Sequence, residues 1–166
     1  MPRAPQLPDK HRVRDAVLEK LVEQLAQAVQ VADDTRRAAT HEEAKPENDK
    51  DTRGLEQSYL ARGQAMRVEE LVEQRDQLKA LTLGDFTAGK PIGAGALLTL
   101  ESESGTRCVF LLPYGGGIEL CIDGQTVQVI TPPSALGALV LGRSEGDDIE
   151  LKVRGKTREY VIAEVL

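Results

Sequence analysis

The chain has few of the residues on which metal, redox and membrane functions depend. Its 166 residues include two cysteines, Cys108 and Cys121, and no tryptophan. The two cysteines do not form the Cys-x-x-Cys spacing of zinc and redox sites, so no metal or other cofactor is expected in the free protein. Each cysteine lies in a strand-like run, and we predict that both are reduced and packed as small apolar side chains.

Long apolar runs are also missing. No stretch comes near the roughly 20 apolar residues that cross a bilayer. The first residues carry Pro2, Pro5 and Pro8 and contain no apolar signal core. We therefore expect no membrane association, and the predicted location is the cytoplasm.

Basic residues are not clustered into blocks. The chain has 21 Lys and Arg against 27 Asp and Glu, which gives a net charge of -6 at pH 7. Non-specific binding to nucleic acid depends on clustered Lys and Arg. The sequence therefore predicts no stable direct binding to DNA or RNA, whereas a protein partner remains open.

Two unlike halves make up the chain. Residues 1–83 hold most of the charged residues, and residues 84–166 hold most of the 15 glycines. The first half is typical of extended helix and the second of a turn-rich β domain. We predict a helical hairpin at residues 1–83 and a small globular domain at residues 84–166.

The first helix is predicted to begin after Asp9, an N-cap residue type that follows Pro8, and to end near Ala39. Apolar residues within it alternate at spacings of three and four, the pattern of a coiled-coil seam. The predicted seam residues are Leu18, Leu21, Leu25, Ala28 and Ala32.

Pro46 places a turn between about His41 and Asp51, because proline cannot lie inside a regular helix without losing a hydrogen bond. The second helix is predicted from Asp51–Thr52 to Leu83, with Gly84 as its stop. A register shift is expected between Met66 and Leu71. The apolar residues assigned to this helix, which are expected to form its stripe against the first helix, are Leu55, Tyr59, Leu60, Met66, Val68, Leu71, Leu78 and Leu81. Tyr59, Arg62 and Met66 lie at helical spacing and are predicted to pack within the hairpin. Two helices of this length would form an antiparallel hairpin about 45 Å long.

The second half is predicted to hold six strands and one short helix. Turn signals such as Asp123-Gly124 separate the apolar runs. The predicted elements are strands 96–101, 106–112, 118–123 and 126–130, a helix 135–141 ended by Gly142, and strands 149–153 and 157–165. This order predicts an α+β domain with a mostly antiparallel sheet.

The predicted turn between the two long helices is acidic. Glu42, Glu43, Glu47, Asp49 and Asp51 fall within ten residues. An acidic tip on a long arm can carry carboxylates to a place that a globular body cannot enter. A solvated turn with helix-capping acids is the alternative. Glu43, Glu47 and Asp49 are the candidate functional acids.

Residues 134–143, Ser-Ala-Leu-Gly-Ala-Leu-Val-Leu-Gly-Arg, followed by Gly146-Asp147, resemble a segment of the Gre transcript-cleavage factors. Residues 157–165 are similar to the last strand of that family. Ala135 stands where the family prefers proline. The resemblance implies an N-terminal antiparallel coiled coil followed by an FKBP-like antiparallel β domain with one short helix.

The resemblance also implies a function. Gre factors insert their coiled coil into the secondary channel of bacterial RNA polymerase, where tip carboxylates help to hold a second Mg²⁺ at the active site. Carboxylate oxygens suit Mg²⁺, and two ions can stabilise both the attacking and the leaving oxygen. Cleavage of the backtracked RNA would then be the polymerase's own reaction, so the chain is not expected to be an enzyme. Ser134, Ala135 and Leu136 would contact the channel rim.

The tip departs from the family pattern Asp-Leu-x-Glu-Asn-x-Glu-Tyr. Glu47 and Asn48 match its Glu-Asn pair, but Ala44 and Lys50 stand at its first Asp and second Glu. Stimulated cleavage and a non-cleaving regulation of polymerase therefore both remain open.

Two hypotheses outside transcription are also consistent with the sequence. The chain could be a binding adaptor whose coiled coil acts as a spacer, with a monomer favoured. Prolyl isomerase activity is the weakest hypothesis, because such pockets use several aromatic side chains and fold alone does not confer activity. The aromatic residues of the domain are Phe86, Phe110, Tyr114 and Tyr160, and we predict that Phe110 and Tyr160 belong to the core.

Overall fold

A computed structural model describes residues 6–43, 52–87 and 89–166. Its elements are α1 (Lys10–Glu43), α2 (Thr52–Ala80), β1 (Ala96–Ser102), β2 (Gly105–Leu111), β3 (Glu119–Ile122), β4 (Gln125–Ile130), α3 (Ala135–Val140), β5 (Asp148–Val153) and β6 (Lys156–Val165). The chain divides into two compact units. One is Glu19–Gln77, and the other combines Met1–Leu18 with Leu78–Leu166.

Helices α1 and α2 form a long helical hairpin, as the sequence predicted. Helix α1 begins after Asp9, whose Oδ1 accepts a hydrogen bond from the Arg12 N–H at 2.9 Å, so the predicted N-cap is confirmed. The seam residues of α1, which are buried or half-buried, recur at spacings of four and three. They are Leu21, Leu25, Ala28, Ala32, Thr35 and Ala39. The predicted seam is therefore confirmed for Leu21, Leu25, Ala28 and Ala32, and it continues to Thr35 and Ala39, whereas the predicted Leu18 belongs to the globular unit.

Helix α2 has one continuous seam, and it differs from the predicted one. The shielded residues at heptad spacing are Gly54, Gln57, Ala61, Gln64, Val68, Leu71, Arg75 and Leu78. The prediction was right for Val68, Leu71 and Leu78. It was wrong for four apolar residues whose exposed fractions are 54–66%: Leu55, Tyr59, Leu60 and Met66.

The physical reason is that the heptad of α2 continues without a register shift. The predicted shift between Met66 and Leu71 was wrong, since the four large apolar side chains fall outside the a and d positions of that heptad. Small and polar side chains occupy the seam there instead. Helix α2 also ends at Ala80, before the predicted Leu83.

The globular unit contains a six-stranded sheet in the order β3-β4-β2-β1-β6-β5. The predicted strand number, order and helix position are confirmed, but the sheet is mixed rather than antiparallel. Strands β2 and β4 are parallel, with Phe110 opposite Val129, and the other four neighbouring pairs are antiparallel. The reason is the segment 112–118, which carries the chain past the β4 position to the edge strand β3. Strand β4 then returns beside β2 and runs in the same direction.

One face of the sheet packs against α3. The core there includes Leu98, Val109, Leu136, Val140 and Ile162, together with Tyr160. Tyr160 is 2% exposed and Phe110 is fully buried, so the prediction that both belong to the core is confirmed. Burial of these apolar side chains is the main source of stability of the sheet.

The first turns of α1 belong to the globular unit. Val13 and Val17 are fully buried, and the Cγ1 atom of Val17 lies 3.3 Å from the place where a Cβ on Gly115 would stand. Arg12 also forms an exposed ion pair with Asp123 at 2.9 Å. The segment Gly115–Gly117 therefore serves as a loop against which α1 packs.

The two cysteines have different environments. Cys108 is half-buried, and burial, with a smaller effect of Glu164, raises the pKa of its thiol to about 12. Cys121 is exposed, so the prediction of a packed thiol was wrong there. The reason is that Cys121 lies on the edge strand β3, where it alternates with the buried Leu120.

Among the helices of the described residues, none combines the length and the apolar character needed to span a bilayer.

Candidate functional site

The candidate tip acids lie at the limit of what the structure describes. Glu43 is the last residue of α1, whereas Glu47 and Asp49 are outside the described residues. Within residues 6–43, 52–87 and 89–166, no group of three or more His, Cys, Asp or Glu side chains could hold a metal ion. The function of the tip acids therefore stays a prediction.

The other predicted site, Ser134–Leu136, is the beginning of α3. Ser134 is the N-cap: its Oγ accepts a hydrogen bond from the Gly137 N–H at 3.1 Å. The same hydroxyl donates to the Thr131 carbonyl oxygen at 2.7 Å. Leu136 is 7% exposed and contributes to the core, whereas Ala135 is exposed. Of the three predicted contact residues, Ala135 is the one whose side chain is free to meet a partner.

Gly137 fixes α3 against the preceding segment. A Cβ on Gly137 would lie 1.9 Å from the carbonyl oxygen of Thr131, which is far inside van der Waals contact. Any side chain at this position would therefore push the helix away from Thr131. The glycine of the Ser-Ala-Leu-Gly segment is required by close packing.

Hydrogen bonds fix the chain that follows the C-terminal end of α3. Gly142 has φ +78°, a left-handed conformation that favours glycine, and its N–H donates to Ile92 O at 2.8 Å. Ile92 N–H in turn donates to Arg143 O at 2.7 Å. Asp147 Oδ2 accepts from Ser144 N–H at 2.9 Å and closes the turn that follows. The segment 134–147 is therefore fixed by hydrogen bonds and close packing, and its characteristic residues have structural roles.

A groove of about 370 Å³ lies beside this segment. Ser134, Ala135 and Leu136 form one wall at the start of α3, and Leu151 and Val153 of β5 contribute apolar surface. Val153 is 46% exposed, so apolar surface remains accessible at the groove. The groove can accommodate an apolar side chain of a partner segment.

Arg107 supplies the charge of the groove. Its Nη2 donates to Gln128 Oε1 at 2.5 Å, and its Nη1 donates to the Tyr160 hydroxyl at 3.3 Å. Both acceptors are neutral groups, and no described carboxylate forms an ion pair with Arg107. Sequence reasoning missed Arg107; the available signal was a charged residue immediately before the apolar run Cys108–Leu111 of β2.

A second concavity, of about 580 Å³, has the opposite character. It is lined by carboxylates from β1, β5, β6 and the turn after β1, namely Glu101, Glu103, Asp148, Glu150 and Glu159. This surface repels phosphate groups.

The described residues define a class of protein by its fold, a long helical hairpin followed by a mixed six-stranded sheet with one short helix. No protein-family model matches the sequence, and a search of the curated proteins finds no match.

Solved structures to which the chain is similar include the GreA factor homolog 1 (Gfh1) of Thermus thermophilus, at 18% identity and a TM-score of 0.38, covering 90% of this chain and 94% of that one. Thermus aquaticus Gfh1 has 21% identity and a TM-score of 0.39, with 91% and 94% covered. The transcription elongation factor GreA/GreB from Nitrosomonas europaea has 19% identity and a TM-score of 0.36, with 57% and 77% covered.

Proposed function

We propose that this protein binds bacterial RNA polymerase through the secondary channel and modulates transcription elongation. In this proposal the hairpin enters the channel, and the groove beside α3 docks at the channel rim. The observation that carries the proposal is that the segment 134–147, which resembles a segment of the Gre factors, contains the capped helix α3 and lies beside an accessible apolar groove.

The dimensions of the hairpin support the first part of the proposal. The parts of α1 and α2 that lie in the hairpin unit, Glu19–Glu43 and Thr52–Gln77, have 25 and 26 residues and are therefore about 38 and 39 Å long at ~1.5 Å per residue. Two packed helices are only about 20 Å across. An arm of this kind can reach into a narrow channel that would exclude a globular domain.

The groove supports the second part. Partner-binding surfaces commonly combine an apolar centre with a few polar groups that fix orientation. Here Leu151 and Val153 supply apolar surface, and Arg107 offers a guanidinium group that forms no ion pair with a described carboxylate. A docked segment that carries an apolar side chain and a carboxylate could bury the first in the groove and form an ion pair with Arg107 through the second.

The tip acids extend the proposal to RNA cleavage. Glu43, Glu47 and Asp49 would supply oxygen ligands to a Mg²⁺ ion that the polymerase active site also holds. The hydrolysis would be performed by the polymerase, and this chain would contribute ligands but no nucleophile. A non-cleaving regulator is the second candidate, because Lys50 stands where the family pattern has its second Glu.

Binding at the groove is tested by two matched substitutions on α3. Ala135 and Ala138 are both exposed, but only Ala135 lines the groove. We expect Ala135→Arg to weaken binding to the cognate polymerase at least tenfold, measured by biolayer interferometry, because the long side chain obstructs the groove. Ala138→Arg adds the same charge and should bind as the wild type. Equal affinities of the two variants would rule out the groove as the docking site.

Cleavage is tested on a stalled, backtracked polymerase complex with Mg²⁺. Release of short 3′ RNA fragments by the wild type, and its loss in the triple variant Glu43→Gln, Glu47→Gln and Asp49→Asn, would establish the cleavage version. The variant must still bind polymerase for the comparison to hold. Binding by the wild type without fragments would establish the non-cleaving version, and no binding at all would favour an adaptor outside transcription.

A further inference from the structure

The distal part of α2 presents an apolar stripe to solvent. Tyr59 and Met66 each lie two residues after a seam residue, about 200° round the helix at 3.6 residues per turn. Leu55 precedes Tyr59 by four residues and Arg62 follows it by three, so both lie on the same side of the helix as Tyr59. We call Leu55, Tyr59, Arg62 and Met66 the outer stripe. Its three apolar members are 58%, 66% and 60% exposed, in chain order.

The charge pattern of α2 singles out the same segment. Residues 55–66 contain only two charged residues, Glu56 and Arg62. Residues 67–79, which continue the same helix, contain seven. Arg62 forms no ion pair with any described residue, whereas Arg67 pairs with Glu70 at 2.8 Å. A solvent-exposed helical face without a partner would be expected to resemble residues 67–79.

The composition of the outer stripe is that of a binding surface. Interface centres are depleted in charge and enriched in aromatic residues, methionine and arginine. Tyrosine and arginine also dominate the residues that carry most of the binding energy. The outer stripe has one of each, next to a methionine whose flexible side chain adapts to an irregular surface.

The size of the outer stripe decides what can occupy it. From Leu55 to Met66 the helix rises about 17 Å, and its diameter is about 10 Å, so the footprint is on the order of 170 Å². A stable complex of two proteins needs roughly 800 Å² on each partner. A second copy of this chain could not be held by the outer stripe alone. Its occupant must also be bound elsewhere on the chain.

We propose that the outer stripe binds an apolar surface of the same polymerase that the groove beside α3 binds, so that one partner is held at two places. This inference rests on the proposed function and adds to it a determinant of affinity on the outer face of α2. Joining two weak contacts on one partner raises the overall affinity well above that of either contact.

The test uses matched pairs of substitutions in the full-length protein. Tyr59→Gln with Met66→Gln removes two apolar members of the outer stripe. Val22→Gln with Val29→Gln removes two exposed apolar side chains of α1, which are 49% and 41% exposed. Glutamine keeps a good helix propensity in all four positions. Circular dichroism before the binding assay confirms that both double variants keep the helix content of the wild type.

Binding to the cognate polymerase is then measured together with sedimentation of the free protein. We expect the stripe variant to bind about tenfold more weakly and the α1 variant to bind as the wild type. If both variants bind equally well while Ala135→Arg weakens binding, the outer stripe is refuted and the proposed function stands. If the wild type does not bind polymerase, both proposals fail. Self-association of the wild type that the stripe variant abolishes would identify a second copy as the occupant and overturn the inference.

Discussion

Ala135 is the residue at which the chain departs from the Gre-like segment, and its backbone explains why the departure is tolerated. It is the first residue of α3, where an N–H has no partner within the helix. The preceding Ser134 has φ -70° and ψ 156°, an extended conformation that a following proline requires. Either alanine or proline can therefore stand at this position.

We predict that Ala135→Pro leaves the fold intact and raises the free energy of unfolding by up to about 1 kcal/mol, because proline restricts the unfolded chain. Urea denaturation followed by circular dichroism measures the change. Gly137→Ala serves as the opposite control, with an expected loss of at least about 2 kcal/mol from its clash with Thr131. A loss of more than 1 kcal/mol in Ala135→Pro would contradict the geometry assigned to Ser134.

The two thiols should differ in reactivity. The pKa of Cys108 is raised to about 12, so only about one thiol in ten thousand is a thiolate at pH 8. Cys121 is exposed and accessible to reagent. We expect Ellman's reagent to modify one equivalent rapidly in the native protein and the second only after unfolding. Peptide mass spectrometry should place the rapid label on Cys121, and fast labelling of Cys108 would contradict its burial.

At the scale of elements, the distal hairpin has little apolar surface in its seam. Ala28, Ala32 and Ala39 of α1 are shielded there, as are Gly54 and Ala61 of α2. Small side chains bury little area, so this part of the hairpin gains less from packing than the part that contains Leu21 and Leu71. Intrinsic helix propensity therefore matters more in the distal part.

Gly63 provides a direct test of that argument. It is exposed within α2, and a Cβ there would meet no atom within 4 Å. We predict that Gly63→Ala stabilises the hairpin by about 1 kcal/mol, the usual gain from replacing glycine inside a helix. The measurement is thermal unfolding monitored at 222 nm.

The comparison variant is Gly142→Ala. Gly142 follows α3 with φ +78°, a conformation that strains alanine, so its replacement should lower the melting temperature. An unchanged or lowered melting temperature in Gly63→Ala would show that the distal part of α2 is not helical in solution.

The strands could be predicted from sequence to within about one residue, because turn signals such as Asp123-Gly124 fix their ends. The parallel pairing of β2 with β4 could not, since strand direction depends on the path of residues 112–118 and not on local pattern. The seam of α2 was mispredicted for a related reason. Hydrophobicity suggested Tyr59 and Met66, but an unbroken heptad through Gln57 and Gln64 decides which face is inward.

The candidate site was predictable only in part. Residues 134–147 were recognised from their pattern, yet the structure shows that Ser134 caps a helix and that Gly137 permits close packing. Arg107 and Val153 reach the groove from strands distant in sequence, so no local motif contains them. Glu47 and Asp49 lie outside the described residues, and their function stays a prediction.

At the scale of the whole molecule, the proposed function depends on the hairpin entering the secondary channel. The groove beside α3 and the outer stripe both bear on affinity, but neither reports directly on where the hairpin lies in a complex. Ser58 is suited to that question, because it is an exposed residue of distal α2 that belongs neither to the seam nor to the outer stripe.

Entry of the hairpin into the channel is tested by a photo-crosslinker placed at Ser58 and activated in the complex with cognate RNA polymerase. Mass spectrometry of the crosslinked peptides locates the contact. We predict crosslinks to residues that line the secondary channel. Crosslinks confined to the outer surface of the polymerase, with binding otherwise intact, would contradict this prediction.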